Sequence, residues 1–395
     1  MTPTKKLSPN GGCHLPTKVR GAAATSPSTP KPHRLGVAPE LEAPGARLTR
    51  RALFVGATAV DAAGAAAAIL TRGTTPAPEA VASAAPPARG PAKSRVVVIR
   101  HEALMADAPG PPAARIRELL DEAAAALARQ AKPADAWAAW LKPNDLVAIK
   151  VNCLGYSTTP AVAVALASAI GAIGLPPERT FIWDRANAEL KDAGYAVQAA
   201  GKGLRCYGTD ALAGRGNAGY AQDILTSGAI GSLFSRIVTD EATALVSAPV
   251  LKDHSLCGLT GALKNFYGAI HNPNKYHDNG CDPFIADVCA AGPIRGKLRL
   301  TVIDALRPQY AGGPSTRTRW QWPYGGLILG TDPVAVDRVA CEILDRKRKA
   351  ADLPPLARDK PVLPYLASAE ARGLGTADLA KIEVLSLGKA WVDVG

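Results

Sequence analysis

The chain has 395 residues, 47% hydrophobic and 20% charged, a balance ordinary for a globular protein and long enough for one large or two average domains. Its net charge of +12 is unevenly placed, because residues 1–93 hold 12 Lys+Arg against 4 Asp+Glu and leave only +4 for the rest. With the basic excess in a leader, and no Lys/Arg stripe interleaved with aromatics, a nucleic-acid partner is not expected.

In chain order, residues 1–46 are rich in Pro, Ser, Thr and Lys with no apolar period, and read as a disordered leader. Residues 47–85 follow, where Thr49-Arg50-Arg51 opens an Ala/Gly-rich apolar run that ends near Leu70. The pattern resembles a twin-arginine (Tat) export signal, with small residues from Ala80 to Ala85 for cleavage. A permanent membrane anchor is the alternative, but the run is short and interrupted by Asp61. Residues 86–93 form a Pro-rich linker. The implied route is export to the periplasm or another extracytoplasmic space, with the Tat translocase as partner and only a transient passage through the membrane.

The remainder, 94–395, reads as a single large domain. Strands are expected at SRVVVIRH (94–101), DLVAIKVN (145–152), RTFIWD (ending at Asp184), GLRCYG, ATALVSAP, KLRLTVIDAL, GGLILGT and KIEVLSL. Helical spacing falls between them, notably at PPAARIRELLDEAAAALARQ, TPAVAVALASAIGAIG, Asp332 to Arg346 and Leu363 to Arg372. Alternating strands and helices predict an α/β fold: a mainly parallel sheet with helices on both faces, in Rossmann-like layers. Polar residues recur just after the apolar strand cores: Lys150 and Asn152, Asp184, Lys252 to His254, Asp304 and Asp332. Ligands bind at such strand ends in open parallel sheets. Asp184 and Asp332 read equally well as helix caps, but Lys150 and Lys252 do not.

The segments VAIKVN, APVLKDHSLCGLTGALKNFYGAI, LTVIDALRPQYAGGP and LGTDPVAVDRVACEIL together resemble the DUF362 family, over roughly Asp145 to Arg348. The resemblance extends to Tat-exported members with a His/Cys stretch such as NPNKYHDNGCDP. It implies a fold and the location of a site, but no reaction. Some members carry ferredoxin modules. The six cysteines downstream of the leader lack CxxC spacing, so neither a ferredoxin-type iron–sulfur centre nor a disulfide framework is expected here.

Three of the six histidines lie between Leu251 and Pro283. His254, His277 and Cys281 offer imidazole and thiolate ligands suited to zinc, copper, iron or nickel, with His271 and Cys257 in reserve. The segment from Gly258 reads as a turn entering a helix, with Thr260 as N-cap. Gly258, Gly261, Lys264, Asn265 and Asn152 are the candidates for holding an anionic group at that helix start. Lys150, Lys252 and Asp304 are the candidate catalytic residues, Asp304 as acid/base, as a fourth metal ligand or orienting a histidine. Asp337 either faces the site or complements a helix dipole. Cys289 reads as a buried apolar residue. The leading expectation is a metal- or cofactor-dependent enzyme acting on an anionic small molecule, with redox chemistry slightly favoured by the export route. A non-catalytic binding protein serving a partner complex, and a metal-free enzyme on a phosphorylated or carboxylated substrate, are the alternatives.

Overall fold

The computed structural model of the chain describes residues 93–105 and 110–395. The leader, the twin-arginine segment and all but the last residue of the linker lie outside the described residues. Among those described, no helix is long and apolar enough to cross a membrane.

The chain runs β1 (Ser94–Arg100), α1 (Ala113–Ala128), α2 (Pro133–Ala138), β2 (Val147–Val151), α3 (Pro160–Ile170), β3 (Thr180–Asp184), α4 (Asn187–Asp192) and β4 (Arg205–Gly208). A small hairpin follows, β5 (Leu225–Ser227) and β6 (Ile230–Ser232), then β7 (Ala244–Ala248), β8 (Val250–His254) and β9 (Gly258–Thr260). Short helices α5 (Phe284–Ala290) and α6 (Gly292–Arg295) lead to β10 (Leu298–Gln309) and β11 (Gly326–Gly330). The chain closes with α7 (Pro333–Ala350), α8 (Pro364–Ala371) and β12 (Ile382–Gly388).

The main sheet has the order β12-β1-β11-β10-β7-β2-β3-β4, with β8 and β9 branching from β10. Along that order every pairing is parallel except the two made by β11. Strands buried on both faces must be apolar on both, which is why VAIKV and TFIWD read as continuous runs. Alternate residues feed two separate cores: Val96, Val98, Ala148, Phe181 and Trp183 on one face, Val97, Ile99, Val147, Ile149 and Ile182 on the other. The first core is closed by α5, α7 and α8, the second by α1 to α4. The α7 start follows its sequence signature, with Asp332 accepting from the Val334 and Ala335 amides at 3.0 and 2.9 Å and Pro333 in the first turn.

Two features position the site. From β2 the chain moves outward through β3 and β4, then returns to the opposite side of β2 with β7. The carboxyl end of β2 is therefore a topological switch point, where a crevice opens. The second feature lies at Pro249. The segment ALVSAPV, which reads as one strand ending before Lys252, is interrupted there and continues as β8 through His254. β10 spans the break, pairing first with β7 and then with β8, while its Asp304 amide donates to the Pro249 carbonyl at 2.8 Å. Lys252 and His254 are thus strand residues on one face, with Asp253 on the other accepting from the Gly313 amide.

Candidate functional site

A cleft of about 440 Å³ opens at the carboxyl ends of β2, β3 and β8. Its lining includes Lys150, Asn152, Asp184, Lys252, His254, Lys264, Asn265, Tyr267 and His277. Sequence positions more than a hundred residues apart converge on it, as the switch point requires.

One wall is a closed polar network. Lys150, last but one in β2, donates to Asp184 Oδ1 at 2.6 Å, to the Val151 carbonyl at 2.6 Å and to Asn265 Oδ1 at 3.3 Å. Asp184 Oδ2 accepts from the Cys153 amide at 2.7 Å. Asn265 bridges the two strands that flank the switch point, its Nδ2 donating to the Lys150 carbonyl on β2 and to Ser247 Oγ on β7. The approach is close enough that a Cβ on Gly268 would lie 2.8 Å from Lys150 Nζ and 2.9 Å from Asp184 Oδ1. Arg185 is likewise matched by Glu189. These cations are neutralised by the protein itself.

The opposite wall is not. Lys252 and Lys264 are 1% and 8% exposed, and among the described residues neither has a carboxylate partner. Lys252 Nζ donates to the Leu154 and Tyr156 carbonyls at 2.7 and 2.6 Å. Lys264 Nζ lies 3.1 Å from His277 Nε2 and 3.7 Å from the centre of the Tyr267 ring. The His254 ring stacks on His277 with centroids 5.9 Å apart. Burial pushes the Lys252 amine down to about 7, with the Lys264 charge adding to it and Asp184, Cys153 and Asp253 opposing it. Burial with the Lys264, His277 and Lys252 charges pushes His254 down to about 3. Lys264 and His277 are lowered in the same direction, first by burial.

The hydrogen bonds fix the imidazole tautomers. His277 Nδ1 faces the Pro273 carbonyl at 3.0 Å, so it carries the proton, and Nε2 accepts from the Lys264 ammonium. His254 Nδ1 accepts from the Leu256 amide at 3.3 Å, which leaves the proton of the neutral ring on Nε2. Cys281 lies apart from the cleft lining, wholly buried, its Sγ 3.9 Å from the His277 carbonyl. Its hydrogen-bonded neighbour Cys257 and the Lys264 charge hold the Cys281 thiol at about 7 against burial, whereas burial raises Cys257. The expected trio His254, His277 and Cys281 is therefore not gathered as a ligand set. Among the described residues no group of three or more His, Cys, Asp or Glu is placed to hold a metal ion. His271, the reserve, is exposed against Tyr220.

Four further expectations resolve differently. Gly258 begins β9 with φ of 85°, and the space at its Cα is filled by Leu363, so it is not in the cleft. The helix expected after Gly261, with Thr260 as its cap, is instead β9 followed by a short 3₁₀ turn over Lys264–Ala269. The amides expected to meet a ligand anion there are already taken: Asp337 accepts from Ala262 at 2.6 Å and from Leu263 at 3.1 Å, against Gly261. Asp304 also stays out of the cleft, its carboxylate taken by the Thr159 and Leu306 amides. Lys150, Asn152, Lys252, Lys264, Asn265, His254 and His277 do converge as expected.

Sequence reasoning left Asp184 undecided and missed Arg185, Glu189, Tyr267 and Gly268. Asp184 had a usable cue in its place directly after an apolar strand. The Tyr267 and Gly268 roles follow from folding of the 264–269 turn under β2, for which local spacing carries no sign.

Two cleft-lining residues hold buried oxygens without a hydrogen-bond partner among the described residues, Asn152 Oδ1 and Thr260 Oγ1. Fold and cleft together define an α/β protein with a cation-rich crevice at a sheet switch point. Residues 141–342 match the family model described as a domain of unknown function (DUF362), and the chain belongs to that family. No curated protein matches the chain. Among solved structures it is similar to a Thermotoga maritima protein crystallised by the Northeast Structural Genomics Consortium, at 13% identity and a TM-score of 0.38. That alignment covers 60% of this chain and 59% of the other.

Proposed function

We propose that the cleft binds a small anion, a carboxylate or a phosphate, and performs acid–base chemistry on it without a metal ion. The observation that carries this reading is the buried pair Lys252 and Lys264, which have no carboxylate partner among the described residues and line the cleft with His254 and His277. Buried charge is tolerated only when compensated, and a bound anion supplies the compensation. The ligand would also serve Asn152 Oδ1 and Thr260 Oγ1.

Lys252 is suited to the chemical step. As a neutral amine it has two N–H groups, both spent on the Leu154 and Tyr156 carbonyls, so its lone pair occupies the remaining direction and can accept a proton. As an ammonium it presents a third N–H to the anion. An amine poised at about 7 populates both forms. His254, neutral at that pH, offers its Nε2–H as a donor, and His277 holds Lys264 in place. A metal is not invoked, because the available imidazole lone pairs are already committed to Lys264 and to the Leu256 amide. Export is part of the same proposal and rests on Arg50-Arg51 and the apolar run after them.

Isothermal titration with sulfate and acetate tests the reading. Binding is expected in wild type, lost by at least about tenfold in Lys252→Met and Lys264→Met, and unchanged by EDTA. Equal affinities in wild type and both variants would overturn it. Binding that is intact in a protein that turns over no carboxylate or phosphate ester would favour a non-catalytic binder.

A further inference from the structure

We infer that the anion taken by this cleft is an amphiphile, with its charged head at Lys252 and His254 and an apolar body lying on Leu154 and Leu256. This rests on the anion-binding reading above and narrows it to a ligand class.

Exposed leucines scattered singly mean little, since much of any protein surface is apolar. Leu154 and Leu256 are not scattered. They are 57% and 56% exposed and both line the cleft, alone among the large apolar side chains exposed in the described residues. Each is also tied through its backbone to a head-group residue. The Leu154 carbonyl accepts from Lys252 Nζ at 2.7 Å, and the Leu256 amide donates to His254 Nδ1 at 3.3 Å.

Lys252 and His254 stand two apart on one face of β8, so the two leucines flank adjacent polar anchors. The loop bearing Leu154 is held firmly: Gly155 packs against the Pro314 carbonyl, which also accepts from the Tyr156 amide at 3.1 Å. Pro314 and Pro273 extend the apolar lining. A fully hydrated anion such as sulfate would leave this apolar rim in water. A ligand with a hydrocarbon body covers it.

The test is a homologous series, acetate to octanoate, titrated into the purified protein beside methyl to octyl phosphate. Affinity is expected to rise by about fourfold per added methylene over the first few members. The tighter of the two series identifies the head group. In the Leu154→Ser/Leu256→Ser double variant, the rise is expected to fall below about twofold per methylene, with sulfate affinity retained. Both positions are exposed, so the variant keeps its core. A flat series in wild type, with sulfate and acetate still bound, would overturn this inference and leave the anion site standing. A steep series unchanged in the double variant would overturn it too. Failure of every anion to bind would remove both readings together.

Discussion

The two walls of the cleft each carry two cations but treat them oppositely. At the β2–β3 wall, Lys150 and Arg185 are each matched by a carboxylate, and Asn265 stitches the network to β7. At the β8 wall, Lys252 and Lys264 have carbonyls, an imidazole and an aromatic ring for company, but among the described residues no carboxylate in contact; Asp184 and Asp253 act on Lys252 only from a distance. A satisfied buried network stabilises and specifies a fold, whereas an unsatisfied one destabilises it and persists where a ligand completes it. On the proposed reading, the first wall is scaffold and the second is site.

The sharpest way to break that contrast is at Asp184. Asp184→Ala leaves the Lys150 ammonium buried and unpaired, and is expected to cost about 3–5 kcal/mol of stability in denaturant unfolding. A cost below about 1 kcal/mol would show that the first wall is not the scaffold. Next is Asp337→Ala, which strips the acceptor from two buried amides beside Lys264. It is expected to cost about 2–4 kcal/mol in the same measurement, and to weaken sulfate binding through the displaced turn.

Lys252 should behave in the opposite sense. Its proton is lost at about 7 in the folded chain and at 10.5 in the unfolded one, so between those values the unfolded state holds more protons. Stability should therefore rise with pH through that window in wild type, relative to Lys252→Met, which lacks the group. Parallel pH–stability curves for the two proteins would contradict the uncompensated charge. The same proton governs binding. Sulfate and acetate keep constant charge from pH 6 to 9, so their dissociation constants should be level below 7 and rise by up to about tenfold per pH unit above it.

The smallest effect concerns His277. His277→Gln keeps an acceptor for Lys264, so it should change sulfate affinity by less than about threefold, whereas His277→Phe should cost more. If Gln and Phe are equally harmful, the imidazole does more than hold the lysine.

Much of the fold was legible because the strands are buried on both faces and therefore apolar without interruption. VAIKV, TFIWD and GLILG announce themselves, and Asp332-Pro333 announces the start of α7. β8 and β9 were not legible: they carry lysine, histidine and glycine, and exist as strands because β10 runs past Pro249 and pairs with β8. The candidate site was partly legible. Lysines after strand cores cannot cap helices, and that argument singled out Lys150 and Lys252 correctly as cleft residues. It could not tell that one is neutralised by Asp184 and the other is not.

The sequence by itself determined the layered α/β architecture, the family and the cluster of polar strand ends, because burial and strand pairing impose patterns that are local in the chain. Only the tertiary structure decided which charges are cancelled. Asp184 meets Lys150 from 34 residues away and Asp337 reaches the Ala262 amide from 75. A charge's partner is set by distance in space, and the sign and burial of the sum, not the residue types, separate a lysine paired within the fold from one without a carboxylate in contact.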